Sequence, residues 1–258
     1  SISYNSTVSF QEPTILPNRV DSWKFAEMLR EGEFNQQLDY TYSEADVQSF
    51  KSGNDPDFPN TDWHEETFRH WAPMHSHNIN VRGGSDAVKY FFSGGYLDQG
   101  SLYRSGDLNF NRYNARSNID AKITENLSAT VDLAFRRESR DSPQTDLGTN
   151  WADLNIARPE WSAHLPDPEL GGAYAGFNLR TPLAQTQKKF TGFIDDRRDY
   201  LTGRIGLDYK IPGIAGLEAS AKLNYMTSTR YVKTQDIPFE VLEYNKSSDT
   251  YTSFGVNG

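Results

Sequence analysis

Apolar and polar residues alternate along this chain in one run after another, and a period of two fits extended strands whose side chains point to opposite faces. At the start Ile2, Tyr4, Val8 and Phe10 share one face, with Ser3, Asn5, Thr7 and Ser9 on the other. Ile79 and Val81 then oppose Asn78, Asn80 and Arg82. Val88, Tyr90, Phe92, Gly94 and Tyr96 form a third face, with Phe91 the main exception opposite them. In the fourth run Tyr113, Ala115, Ile119, Ala121 and Ile123 stand against Arg112, Asn114, Arg116, Asn118, Asp120 and Lys122. Leu127, Ala129, Val131, Leu133 and Phe135 follow, opposed to Ser128, Thr130, Asp132 and Arg136. Leu201, Gly203, Ile205, Leu207, Tyr209 and Ile211 face away from Thr202, Arg204, Asp208 and Lys210, and residues 217–231 repeat the scheme. The pattern predicts about seven strands.

A soluble sandwich and a membrane barrel both tolerate charge on the polar faces, so connection length has to separate them. Gly83-Gly84-Ser85-Asp86, Thr124-Glu125-Asn126 and Pro212-Gly213-Ile214-Ala215-Gly216 read as hairpin turns. Between them lie longer stretches, residues 11–74, 98–109 and 138–200. Every second connection is long, which predicts a barrel with short turns at one rim and long loops at the other. Runs such as 112–123 and 217–231 exceed the roughly 5 or 6 residues of a soluble strand and suit the roughly 9 to 11 of a tilted membrane strand. Phe10, Tyr96, Tyr113, Phe135, Tyr209 and Tyr231 would then belong to the aromatic girdles at the headgroup level. In a sandwich the same rings would be core.

Composition is consistent with strands half exposed to lipid. Only 36% of the residues are hydrophobic and the mean hydropathy is −0.72, yet 13% are aromatic, far more than a disordered polar chain carries. No run approaches the roughly 18 apolar residues of a membrane helix. Alternate residues of a barrel strand face away from lipid, so such a chain averages as polar. Cysteine is absent, which excludes disulfides and thiolate sites. A net charge of −9 without a basic stripe in the sequence argues against a nucleic-acid partner. The expected class is all-β: an antiparallel up-and-down transmembrane β-barrel segment of about seven or eight strands.

Residues 78–120 carry a specific order of motifs. They read Asn78-Ile79-Asn80-Val81-Arg82-Gly83-Gly84-Ser85, then Tyr90-Phe91-Phe92-Ser93-Gly94-Gly95-Tyr96-Leu97-Asp98-Gln99-Gly100, then Arg112-Tyr113-Asn114-Ala115-Arg116-Ser117-Asn118-Ile119-Asp120. This succession resembles the SusC/RagA family of TonB-linked outer-membrane transporters. Asn60-Thr61-Asp62-Trp63 is similar to the family's loop motif ahead of the second strand, and Ile2-Ser3-Tyr4 to the barrel strand that follows its plug domain. The likeness fades over residues 144–199. It implies a larger barrel of about 22 strands, of which residues 1–258 would be the N-terminal portion. A signal peptide, a plug and a TonB-contacting segment are expected ahead of Ser1, and the remaining strands after Gly258. The implied function is import of a bulky nutrient, an oligosaccharide or a peptide, across the outer membrane. The implied partners are TonB, a SusD-like surface lipoprotein acting as a lid, the remaining barrel and plug, and outer-membrane lipid. Ser1 would lie on the periplasmic side and the long connections outside.

Among candidate residues, all five tryptophans lie in the long connections. Trp23, Trp71, Trp151 and Trp161 are candidates for ligand or lid contact, since an indole offers a flat apolar face and one donor; Trp63 reads as loop packing. Arg112, Asn114, Arg116, Asn118, Asp120, Arg136, Arg204 and Asp208 are expected to line the lumen. Asn54-Asp55-Pro56-Asp57 with Asp62 offers oxygen ligands for a hard cation, and His75 and His77 with His64 or His70 offer nitrogen, but both sets also fit ordinary turns and polar anchors, and no metal is assigned. Asp195-Asp196-Arg197-Arg198 precedes a strand, while Arg136-Arg137-Glu138 ends one and Arg140-Asp141 lies just beyond it, so both sets are expected near the long-loop rim or the lumen, as charge pairs. Adjacent carboxylates on a regular strand point oppositely and cannot flank one glycosidic bond. No catalytic constellation or cofactor motif stands out, so no enzyme activity is expected. Asn-x-Ser/Thr matches at Asn5, Asn126 and Asn245 carry no weight in a bacterial barrel. The alternative function is a soluble all-β carbohydrate-binding module with the tryptophans as its platform.

Overall fold

Seven of the alternating runs pair into one antiparallel meander in the computed structural model of the chain, which describes residues 1–55, 57–176, 179–246 and 248–257. In chain order the elements are β1 (Ile2–Gln11), α1 (Ser22–Gln36), α2 (Glu44–Ser52), α3 (Trp63–Thr67), β2 (Ala72–Gly84), β3 (Val88–Gln99), β4 (Asn109–Lys122) and β5 (Leu127–Pro143). They continue with α4 (Leu147–Ile156), β6 (Gly172–Ala173), a 3-10 turn (Ala184–Thr186), α5 (Lys188–Thr191), β7 (Gly192–Lys210), β8 (Glu218–Asp236), β9 (Phe239–Asn245) and β10 (Thr250–Asn257). The main sheet runs β1-β2-β3-β4-β5-β7-β8, and β10-β9-β6 form a small second sheet.

The three short connections are the turns expected. Ser85 N–H donates to the Val88 carbonyl at 2.7 Å, and the Thr124 hydroxyl accepts from Leu127 N–H at 3.1 Å. The last turn puts Gly213 and Gly216 at φ 90° and 81°, a region that suits glycine, so that Ile211 N–H reaches the Leu217 carbonyl at 3.0 Å.

The largest differences in strand length from the sequence reading are at two strand boundaries. β5 runs on past Arg136 to Pro143, and β7 begins at Gly192, so Glu138, Arg140, Asp141, Asp195 and Asp196 lie inside strands. The extensions hold because their partners are charges: Arg137 lies opposite Asp199, and Glu138 opposite Arg198. Alternation of charge does not register as alternation of hydropathy, so these residues read as loop. Asp195 and Asp196, adjacent on β7, do point to opposite faces.

The long connections hold five helices where the sequence reading had loop. α2 opens with a capping box in which Ser43 Oγ accepts from Asp46 N–H at 3.1 Å and Asp46 accepts from Ser43 N–H at 2.7 Å, and it ends at Gly53 in the left-handed region. Asp146 caps α4 by accepting from Gly148 and Thr149 N–H at 2.8 and 3.0 Å.

The buried apolar clusters sit in these connections and in β9. One cluster gathers Trp63, Leu154, Ala157, Ala163 and Ala175, a second Ala184, Phe190, Phe239 and Val241, and a third Ala26, Val47 and Phe50. The middle of the main sheet contributes none of these, and its apolar side chains are bare: Leu223 is 67% exposed and Tyr225 59%. No second sheet covers that face among the described residues, since β6, β9 and β10 pack with the 3-10 turn and α5. Among the described residues the main sheet is thus a single layer, not half of a sandwich.

Candidate functional site

The register sorts the main sheet into two faces. Directly paired residues share a face, so Ile79, Gly94, Ala115, Phe135 and Leu201 form one row across five strands. The next rows toward the short turns are Val81, Phe92, Ser117, Leu133, Gly203 and Tyr225, then Tyr90, Ile119, Val131, Ile205 and Leu223. Tyr209 lies near the turn end of this face, and Tyr96 with Tyr113 near the loop end, their rings 4.8 Å apart. Along β7 the apolar face runs from Leu201 to Tyr209; with the girdle residues that is about ten residues, which when tilted matches an apolar band about 25 Å tall. A contiguous bare band of this kind requires a covering phase.

The opposite face is polar. Arg112, Asn114, Arg116, Asn118 and Asp120 on β4 share it with Arg136 on β5 and with Arg204 and Asp208 on β7, so all eight sequence candidates stand on one side. Their interactions are lateral: Asn118 donates to Asp132, Thr130 donates to Asp120 at 3.0 Å, and Ser220 donates to Asp208 at 2.7 Å. The Arg136 guanidinium lies 4.2 Å above the Tyr200 ring. A concavity of about 690 Å³ opens on this face, walled by Ser93, Asn114, Arg116, Arg136, Thr202 and Ser228. Arg140, Arg198 and Arg230 share the face by the same register; the sequence suggests the rim or the lumen for Arg140 and Arg198, and Arg230 falls within the run 217–231, but none of the three stands among the eight candidates.

At the loop end the three long connections lock into one body. Trp63 donates its indole N–H to the Arg158 carbonyl at 2.8 Å, Thr61 donates to the Trp161 carbonyl at 2.6 Å, and Tyr103 donates to Asn150 at 3.2 Å. Arg19 reaches the carbonyls of Leu154, at 2.7 Å, and Ala157. Trp63 is fully buried, as its packing role requires.

The four other tryptophans part company. Trp151, on α4, is 39% exposed and stacks on His64 with centroids 5.6 Å apart. Trp71 is exposed and meets the edge of Phe10 at 4.7 Å, beside the edge strand. Trp23 packs half-buried against the third cluster beneath Lys51. Trp161 lines a cavity of about 700 Å³ together with Glu160, His164, Tyr174, Glu243 and Tyr244. Tyr174 is sandwiched there, edge-on to Trp161 at 4.9 Å and stacked on Phe254 at 4.1 Å. The sequence offered no signal for Tyr174 or Tyr244, because they meet Trp161 only through the second sheet.

Glu160 is a buried carboxyl of this body. Its side chain is 1% exposed, Arg158 is its cationic neighbour at 3.8 Å, and burial raises its carboxyl above the ordinary value. His64 moves down instead, through burial and then the Arg19 charge.

The metal candidates stay apart. Pro56 of the acidic run lies outside the described residues, and no group of three ligating side chains forms among the described ones. His77 Nδ1 is instead 2.7 Å from the Tyr4 hydroxyl.

No family model matches the sequence. TonB-dependent receptor P3 of Formosa agariphila is 24% identical over 161 residues, which is 61% of this chain and 15% of that protein. Among solved structures, the RagAB peptide importer in its closed-closed state superposes with a TM-score of 0.66 at 18% identity, over 92% of this chain and 29% of the other. The open-open state gives 0.63 at 17% identity, over 95% and 29%. The chain thus spans less than a third of the length of the proteins it matches. The seven-stranded sheet has the fold of a stretch of that barrel, and the SusC/RagA resemblance stands on fold as well as on motifs.

Proposed function

We propose that this chain is a strip of wall from a TonB-dependent outer-membrane importer, in which the apolar face meets lipid and the polar face lines the lumen. The bare apolar band, opposed by a charged face and capped at one end by a body with its own core, is the observation that carries this reading. β1 and β8 are the edges of the main sheet, and open edges cannot stand in hydrocarbon. Further strands of the same protein complete the wall, and a plug domain ahead of β1 fills the opening. The cap faces outward, where a SusD-like lipoprotein closes over it; Trp151, Trp161, Trp23 and Trp71 are the residues offered to that lid or to cargo. The cargo is a bulky nutrient, an oligosaccharide or a peptide, and the work comes through TonB.

The test is uptake in cells. A strain carrying the full-length protein takes up its cargo, and both removal of TonB and collapse of the proton gradient abolish uptake while surface binding persists. Uptake that continues without TonB would refute the reading.

A further inference from the structure

The polar face is far more basic near its loop end than the chain as a whole. Four successive rows there hold Arg140 and Asp196; Arg112, Glu138, Arg198 and Arg230; Arg136 beside Tyr200; and Arg116. Among the described residues of these rows six arginines face two carboxylates, an excess of four positive charges in a chain whose net charge is −9. Rows are two residues apart along a strand and neighbouring strands about 4.8 Å apart across it, so the six lie within one patch.

The two carboxylates are already engaged. Asp196 accepts from Arg230 at 2.9 and 2.7 Å and from Arg198 at 3.3 Å, and Glu138 lies 3.4 Å from Arg136. Five of the six arginines are exposed. Like charges held this close on a rigid sheet repel, and an anion between them relieves that repulsion. A guanidinium fork matches the paired oxygens of a carboxylate or a sulfate.

The neutral residues of the same rows say what carries the anions. Asn78, Asn80, Ser93, Asn114, Thr202 and Ser228 surround the arginines. Amides and hydroxyls both donate and accept, as sugar hydroxyls require. A peptide would seek an open strand edge for its backbone, and every strand that bears an arginine here, β8 apart, is paired on both sides. From this we infer that the cargo is an acidic oligosaccharide, bearing repeated carboxylate or sulfate groups, and that Arg112, Arg116, Arg136, Arg140, Arg198 and Arg230 are the anion-binding residues that select it. The inference rests on the reading of this face as lumen.

The test uses the full-length transporter with its lipoprotein in detergent. Octasaccharides bearing sulfate, bearing uronate, or with neither are presented beside acidic and neutral octapeptides, and bound material is measured over a salt series. Retention of a sulfated or a uronate octasaccharide, at least tenfold above its neutral counterpart and falling with salt, is expected; which of the two is retained identifies the anion. The triple variant R112Q/R116Q/R140Q leaves Glu138 and Asp196 with their arginines, so the wall keeps its pairs, and it should lose that retention at least tenfold while R112K/R116K/R140K recovers part of it. Equal retention of the neutral form, preference for an acidic peptide, no retention of either acidic octasaccharide, or full retention by the glutamine variant would each overturn the inference. TonB-dependent uptake of a neutral cargo would leave the transport reading standing and remove only this one.

Discussion

Trp63 and Arg158 lie 95 positions apart, and a single hydrogen bond of 2.8 Å from indole to carbonyl ties the first long connection to the third. Trp63 is also the largest side chain in its buried cluster. Trp63→Phe keeps most of the apolar contact and leaves the carbonyl unpaired, at a cost of about 1 to 3 kcal/mol. Trp63→Ala adds a cavity and should cost about 3 to 5 kcal/mol. In the full-length protein, limited proteolysis should cut residues 144–191 faster in both variants, in that order, while the barrel stays resistant.

Glu160 makes the cap sensitive to pH. Its folded carboxyl titrates above the ordinary glutamate value because burial disfavours the anion. The folded state therefore binds the proton more tightly than the unfolded one, and the stabilisation is full below the unfolded value and lost as pH rises through the folded one. Protease resistance of the cap should fall as pH is raised from about 4.3 upward, and Glu160→Gln should flatten that profile. A profile unchanged by the substitution would exclude Glu160 as its source.

The two faces differ in what they tolerate. Ile205→Arg and Leu133→Arg put a charge on the apolar face and should each destabilise the folded barrel by about 2 to 4 kcal/mol in a bilayer. Thr202→Arg, three residues from Ile205 on β7 and on the other face, joins the arginine-rich rows there and should cost under about 1 kcal/mol in salt that screens them. Denaturant unfolding in lipid vesicles reads the difference.

Gly192 opens β7 at φ 82°, and a Cβ there would collide with the Gln235 carbonyl of β8. Gly192→Ala should cost about 1 to 3 kcal/mol from backbone strain alone. Faster amide exchange confined to the loop ends of β7 and β8 is the expected signature.

The meander was legible because one bare apolar face and one polar face force a period of two, and each of the seven strands announced itself in the sequence through residues such as Ile205 and Leu133. The strand extensions were hidden because pairs such as Arg137 and Asp199 hold them by charge. The cap was hidden more deeply. Its helices are short and polar outside, and only local signals such as Ser43 with Asp46 mark them; its core joins Trp63, Leu154 and Ala175, which no spacing connects. Parity puts Arg112 through Asp208 on one face, as the register does; Arg140 and Arg198 lie where charge pairing hides the strands, while Arg230 lies inside the run 217–231 and within reach of the same parity.

Sidedness tests the central claim most directly. This chain has no cysteine, so single cysteines placed in it report alone once any cysteine elsewhere in the full-length protein is replaced by serine. Gln48→Cys and Asp167→Cys place a thiol in the long connections, and Glu125→Cys and Ala215→Cys place one in the short turns. On intact cells a membrane-impermeant maleimide should label the first pair and spare the second, which should react only after the outer membrane is opened. Labelling of Glu125→Cys or Ala215→Cys on intact cells would contradict a wall that crosses the membrane with its long connections outside.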